Sequence, residues 1–155
     1  MSATIHEQIL PMRESDLDAV AALEETLYVH PWTRRNFADS LEAGYLMRVL
    51  RRGAELAGYF ILMIGVDEGH LLNISVARPW QRHGYGSLLI DHACELCRQR
   101  AATRLLLEVR PSNLAAQSLY RRRGFREIGV RRGYYPKGDI DRFRREDALV
   151  MALAL

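Results

Sequence analysis

Cysteine is scarce in this chain: there are only two, Cys94 and Cys97, three residues apart in a segment of helical periodicity. No second cysteine pair or nearby histidine completes a four-ligand zinc site, and a mid-helix position does not lower a thiol pKa as a helix N-terminus does. We therefore expect two buried thiols that pack as small apolar side chains, and no metal ion.

Long apolar runs are missing as well. The longest, such as Tyr59 to Val66, fall far short of the roughly 20 residues that a membrane-spanning helix needs. The N-terminus lacks the basic-then-apolar pattern of a secretion signal, and no low-complexity tract or repeat is visible. With 155 residues, 48% hydrophobic and 26% charged, we expect one globular domain over 1–155 in the cytoplasm, without a membrane segment.

Positive charge is concentrated in the C-terminal third of the chain. Arg121 to Arg145 contains ten Lys or Arg residues against three Asp or Glu, a net charge of +7, whereas the whole chain carries +3. Such a surface suits a phosphorylated cofactor, an acidic peptide or the RNA-rich surroundings of a ribosome. A solvated charged surface without a partner is the alternative.

Apolar periodicity predicts an α/β (α+β) protein, because strand-like runs alternate with segments of helical spacing. The predicted strands are Ile5 to Met12, Tyr45 to Leu50, Glu55 to Ile64, Leu71 to Val76, Arg104 to Val109, Phe125 to Val130 and Ala148 to Leu153. The predicted helices begin at the caps Ser15 and Thr33, at Ser87 and at the cap Asn113. A helix connects two of the later strands twice, so we expect those two pairs to be parallel within one mixed sheet.

A glycine-containing turn separates the strand at Leu71 to Val76 from the helix that begins at Ser87. Gly84 and Gly86 lie where the first helical amides have no partner within the helix, and glycine lets the backbone approach an anion closely. Arg82 adds a positive charge. The turn is therefore a candidate pyrophosphate site, with an ordinary connecting turn as the alternative.

Three motifs follow one another along the chain: Gln81-Arg82-His83-Gly84-Tyr85-Gly86, then Leu107-Glu108-Val109-Arg110-Pro111-Ser112-Asn113, then Ala115-Ala116-Gln117-Ser118-Leu119-Tyr120 leading to Gly124-Phe125. Together they resemble the GCN5-related N-acetyltransferase (GNAT) family over essentially the whole chain. Five segments resemble its RimI-type branch, which modifies ribosomal proteins: His30-Pro31-Trp32, Asn73-Ile74-Ser75-Val76, Glu108-Val109-Arg110, Arg131-Arg132-Gly133-Tyr134-Tyr135-Pro136 and Glu146-Asp147-Ala148.

The family resemblance implies a single-domain GNAT fold, a sheet of about seven strands flanked by four helices. Two parallel strands splay apart in that fold, and their unpaired backbone groups bind acetyl-CoA as co-substrate. The cofactor contacts carried over to this chain are Ile74, Ser75, Val76, Arg82, His83, Gly84, Tyr85, Gly86, Ser87 and Asn113. The branch resemblance implies an acceptor, the N-terminal alanine of small-subunit ribosomal protein S-eighteen.

Glu108 interrupts the apolar run from Leu105 to Val109. A carboxylate in such a strand is costly to bury unless it is paired or its pKa rises. It suits a general base that removes a proton from the acceptor α-amine, whose reference pKa is about 8. The alternative is a salt bridge to Arg110 or to another arginine at the sheet edge.

Three tyrosines are further candidate site residues. The resemblance assigns Tyr120 as the proton donor to the departing CoA thiolate, although a tyrosine on a helix is commonly a core residue. Tyr134 and Tyr135 are candidate contacts for the acceptor peptide. They precede Lys137 to Arg145, a segment that is longer and more basic than the branch pattern.

Two other functions stay open at this point. The same fold could acetylate a small-molecule amine, although such an enzyme would favour acidic residues near the acceptor. Alternatively, the chain could be a basic ribosome- or RNA-binding module with a vestigial cofactor site. We expect a monomer that contacts the ribosome transiently through its basic C-terminal third.

Overall fold

The computed structural model describes residues 6–136 and 145–155. The strands are β1 (Glu7–Pro11), β2 (Leu46–Arg52), β3 (Glu55–Ile64), β4 (Glu68–Val76), β5 (Arg104–Val109), β6 (Arg126–Pro136) and β7 (Arg145–Ala154). The α-helices are α1 (Leu17–Leu27), α2 (Arg34–Glu42), α3 (Tyr85–Gln99) and α4 (Leu114–Arg122). The strands follow the order β1-β2-β3-β4-β5-β7-β6 in one sheet. The described residues thus confirm the predicted fold class, a mixed seven-stranded sheet with four helices.

Two of the predicted helix caps are confirmed, and one is wrong. Thr33 Oγ1 accepts the backbone N–H of Asn36 at 3.1 Å, and Asn113 Oδ1 accepts that of Ala116 at 3.1 Å. Ser15, in contrast, lies inside a short 3-10 turn, and α1 begins only at Leu17. A carboxylate and not a hydroxyl closes that turn, since Asp16 accepts the backbone N–H of Arg13 at 2.8 Å.

The strand directions agree with the prediction, and the sheet order adds one strand between the second pair. β4 and β5 are parallel as expected, with Glu68–Leu71 opposite Arg104–Leu107. β5 and β6 also run in the same direction, because both are antiparallel to β7, but β7 lies between them and they are not hydrogen-bonded neighbours. β7 buries Ala148 and Met151 and suits an interior position, whereas the exposed charged residues of β6 suit an edge strand.

The described residues form two compact units. The first comprises 6–62 and Asn73–Ile90, and the second comprises Met63–Leu72, 91–136 and 145–155. A single domain over 1–155 stays a prediction. Cys94 and Cys97 are buried free thiols, as predicted, and burial raises the pKa of Cys97 to about 11. None of the helices described has the length and apolar character needed to cross a membrane.

Gly58 on β3 allows its backbone to approach β4 closely. A Cβ at this position would lie 2.6 Å from the carbonyl oxygen of Ser75 and 3.3 Å from the Leu89 side chain. Because a backbone atom cannot yield as a flexible side chain does, we expect Gly58→Ala to lower the free energy of unfolding by about 1–3 kcal/mol, measured by urea denaturation. Gly129→Ala is the control, since a Cβ there meets no atom within 4 Å. Equal losses in the two variants would contradict this role of Gly58.

Candidate active site

The end of β4 carries three of the predicted cofactor contacts. The Ser75 hydroxyl is buried, donates to Asn73 Oδ1 at 2.8 Å and lies 2.6 Å from the Tyr28 hydroxyl. Tyr28 also donates to the Ile74 carbonyl at 3.4 Å, and the Gln81 amide donates to the Val76 carbonyl at 3.0 Å. The Ser75 hydroxyl is therefore already hydrogen-bonded within the protein. A cofactor contact at this residue would have to use the backbone of β4.

A buried carboxylate that sequence reasoning missed stabilises the same part of the first unit. Glu24 on α1 is only 2% exposed and accepts the Tyr59 hydroxyl at 2.6 Å and the Asn73 amide at 2.9 Å. Its second oxygen accepts the backbone N–H of Trp32 at 2.9 Å. Burial and the charge of Glu24 raise the pKa of Tyr59, so that its hydroxyl stays a donor. The signal was present in the sequence, because Glu24 follows Leu17 and Val20 on the apolar face of α1.

The glycine-containing turn has two residues in the left-handed backbone conformation directly before α3. Arg82 has φ 62° and Gly84 has φ 83°, and α3 begins directly afterwards at Tyr85, two residues earlier than predicted. The left-handed conformation is free of penalty for glycine but costs about 1–2 kcal/mol at an arginine. Backbone turns of this kind before a helix direct several N–H groups toward one point, where an anion is bound favourably.

The side chains of His83 and Tyr85 pack against each other, and Nδ1 of His83 is hydrogen-bonded to the Gln81 carbonyl at 2.7 Å. Tyr85 donates its hydroxyl hydrogen to Glu7 at 2.7 Å, and the His83 ring stacks on it with ring centroids 6.3 Å apart. The guanidinium of Arg52 lies 4.3 Å from the ring centroid of Trp80, which also contacts His83. The structure thus gives both predicted cofactor residues side-chain partners within the protein, and their contact to a cofactor stays a prediction.

In the second unit, Glu108 on β5 has a side chain that is 9% exposed and paired on both oxygens. Its Oε2 is hydrogen-bonded to Nε2 of His70, and its Oε1 accepts from Nη1 of Arg131 at 3.2 Å. Burial raises the pKa of Glu108, but the hydrogen bonds and charges of His70 and Arg131 outweigh burial and hold this pKa below its ordinary value. The salt bridge expected as the alternative is thus present, with Arg131 as the partner.

Arg110 forms an ion pair with Glu146 on β7. It donates to Glu146 at 3.2 Å, and the same carboxylate accepts the backbone N–H of Ser112 at 2.8 Å. The buried amide of Gln117 donates to the carbonyls of Arg110 and Pro111 at 3.0 and 2.8 Å. These contacts hold the segment before α4, where Asn113 acts as the helix cap.

The three candidate tyrosines have different surroundings. Tyr120 on α4 is 8% exposed and packs against Phe125, with ring centroids 5.6 Å apart. Tyr134 on β6 is 39% exposed, and the Arg131 guanidinium lies 4.4 Å from its ring centroid. Burial and the charge of Glu108 raise the pKa of Tyr134, which places its ring in the same charged cluster as Glu108 and Arg131. The Tyr135 side chain and the residues 137–144 lie outside the described residues.

Comparison with known proteins decides the family of the chain. The model of the acetyltransferase (GNAT) family matches residues 14–125. The chain belongs to the GNAT family. This result confirms the prediction that the protein is an acetyl-CoA-dependent acyltransferase.

Several proteins that are similar to this GNAT chain are named for the same activity. The [ribosomal protein bS18]-alanine N-acetyltransferase of Escherichia coli is 37% identical over 147 residues, which cover 95% of this chain and 97% of the relative. A putative enzyme of the same name from Bacillus subtilis is 36% identical, with 90% of each chain covered. The crystal structure of the E. coli enzyme matches with a TM-score of 0.86 and 36% identity, over 96% of this chain and 94% of that one.

Proposed function

We propose that this GNAT protein transfers the acetyl group of acetyl-CoA to the N-terminal alanine of ribosomal protein bS18. The observation that carries the proposal is similarity over nearly the full length of both chains to enzymes named for this reaction. Ribosomal proteins are made in the cytoplasm, so we place the reaction there, with the protein as a monomer. A transient ribosome contact through the basic residues from Arg121 to Arg145 belongs to the same proposal.

Acetyl-CoA is proposed to bind along the backbone of Ile74, Ser75 and Val76 and to place its pyrophosphate on the amides from Arg82 to Ser87. The positive φ angles at Arg82 and Gly84 support the second contact. The side chain of Ser75 is bonded to Tyr28 and Asn73, which supports a backbone contact at the first. The side chain of Asn113 caps α4, so its contact to the cofactor would use a remaining donor or acceptor.

The proposed chemistry is direct attack of the amine on the thioester. Glu108 takes a proton from the α-ammonium of the acceptor, directly or through a water, and the neutral nitrogen attacks the acetyl carbonyl carbon. A backbone N–H of β4 between Ile74 and Val76 stabilises the oxyanion. The nitrogen then loses its second proton to solvent water, the carbon–sulfur bond breaks, and the Tyr120 hydroxyl donates its proton to the CoA thiolate. Glu108 afterwards releases its proton to solvent, and the Tyr120 phenolate takes one back. Tyr134 and Tyr135 are proposed to contact the acceptor peptide.

A panel of acceptors tests the function. With acetyl-CoA present, we expect the purified protein to acetylate the α-amine of a peptide that begins with the alanine of mature bS18, as detected by mass spectrometry. The same peptide with its α-amine already acetylated should gain no further acetyl group, which excludes lysine acetylation. Faster transfer to polyamines or free amino acids than to the peptide would favour the small-molecule function and contradict the proposal.

A further inference from the structure

His70 and Glu108 lie on one face of the paired strands β4 and β5. His70 is directly opposite Leu106 in the parallel register, and Glu108 follows Leu106 by two residues. Since side chains alternate along a strand, Glu108 is the diagonal neighbour of His70 on the same face, within reach of a long side chain. Two residues earlier on the same face, Glu68 on β4 forms an ion pair with Arg104 on β5 at 2.7 Å.

The Glu108 carboxylate has a hydrogen-bond partner on each of its two oxygens. His70 on β4 is bonded to Oε2, and Arg131 on β6 donates to Oε1 at 3.2 Å. The charge of Glu108 also acts on the Tyr134 hydroxyl on β6, and the apolar Val150 is directly opposite Glu108 on β7. One donor on each oxygen leaves lone pairs that can still accept a hydrogen from a water or an amine.

We propose that His70 is a positioning residue for acetyl transfer, which holds the Glu108 carboxylate ionised and in one orientation. The proposal rests on the base role proposed for Glu108. A general base must be ionised before the amine arrives, and burial of a carboxylate opposes ionisation. His70 offsets that cost at one oxygen, as the Arg131 guanidinium does at the other.

The burial of Glu108 distinguishes this contact from a surface ion pair. The side chains of Glu68 and Arg104 are 38% and 49% exposed, so their pair is screened by water and has little influence on nearby chemistry. The side chains of Glu108 and His70 are 9% and 21% exposed. A hydrogen bond to a buried carboxylate both fixes its rotation and changes its proton affinity.

His70→Gln tests the proposal, with Glu68→Gln as the matched control on the same strand pair. Glutamine retains an amide N–H but carries no positive charge. We expect kcat to fall about tenfold, while KM for acetyl-CoA is unchanged. The fall is smaller than the 10²–10⁴-fold contribution of a positioned base, because Glu108 itself is still present. Without the imidazole the pKa of Glu108 rises, so the acidic limb of the kcat profile moves to higher pH. Glu68→Gln should leave both kcat and this limb unchanged.

A measurement that needs no turnover separates this proposal from the proposed function. The ¹³C resonance of the Glu108 carboxyl, assigned by its loss in Glu108→Gln, is titrated in the wild type and in His70→Gln. A higher Glu108 pKa in His70→Gln supports the proposal even if no acceptor peptide is acetylated, in which case only the acceptor assignment fails. An unchanged Glu108 titration, or equal effects of His70→Gln and Glu68→Gln on kcat and its pH limb, would overturn it.

Discussion

Glu108→Gln is expected to slow acetyl transfer by about two orders of magnitude at neutral pH, the usual scale for loss of a positioned base. The amide cannot take the proton that the α-ammonium must lose before its nitrogen attacks. Because the pKa of Glu108 lies below its ordinary value, the wild-type carboxylate is fully ionised at neutral pH. The rate of a single turnover, with peptide and acetyl-CoA premixed against excess enzyme, measures the effect on the chemical step.

Acetyl-CoA binding should be retained in Glu108→Gln. Glutamine has nearly the same shape as glutamate, and its amide oxygen still accepts a hydrogen bond from His70 or Arg131. Isothermal titration calorimetry with acetyl-CoA checks the dissociation constant, and Glu68→Gln controls for loss of a carboxylate from the same sheet face. A wild-type single-turnover rate in Glu108→Gln would remove the base role, and the pairing with Arg131 would then stand as a structural salt bridge.

Local signals in the sequence were sufficient for much of the fold. Thr33 and Asn113 are small polar residues directly before an apolar periodic segment, and both cap a helix as this pattern predicts. The end of α4 and the turn before α3 were predicted from Gly124 and Gly84, which have φ angles of 99° and 83°. Each of these features depends on a few consecutive residues, so no tertiary information was needed.

Features that depend on strand register could not be predicted in the same way. The contact of His70 with Glu108 joins residues 38 apart, and that of Arg131 with Glu108 joins residues 23 apart. Both need the position of each strand in the sheet, and the insertion of β7 between β5 and β6 was itself missed. A helix connects β4 to β5, and another helix connects β5 to β6. The two connections look alike in the sequence, although β5 is adjacent to β4 and is separated from β6 by β7.

Resemblance and structure contribute differently to the candidate site. The motif around Glu108 pointed to a carboxylate with a catalytic role, but only the structure shows that His70 and Arg131 are hydrogen-bonded to it. For Ser75, the motif suggested a cofactor contact, whereas the structure shows that its side chain is hydrogen-bonded within the protein. The structure shows its hydroxyl between Tyr28 and Asn73, in a buried network that continues to Glu24.

Tyr120→Phe is expected to reduce turnover by about tenfold to a hundredfold, because it removes the proposed donor to the CoA thiolate. The ring is 8% exposed and packs against Phe125, so phenylalanine should fill the same space and preserve the fold. The loss should appear in the single-turnover rate while the dissociation constant of acetyl-CoA stays near that of the wild type. Tyr45→Phe, which removes a hydroxyl elsewhere, controls for a general effect of the substitution.

The two measurements on Tyr120→Phe distinguish a proton donor from a residue that only holds the cofactor. A donor acts on the carbon–sulfur bond as it breaks, so its loss lowers the rate with enzyme and acetyl-CoA already bound. A binding contact acts equally before and during the reaction, so its loss weakens acetyl-CoA binding and leaves the saturated single-turnover rate unchanged. The second pattern would contradict the role of Tyr120 as the acid and make its hydroxyl a cofactor contact.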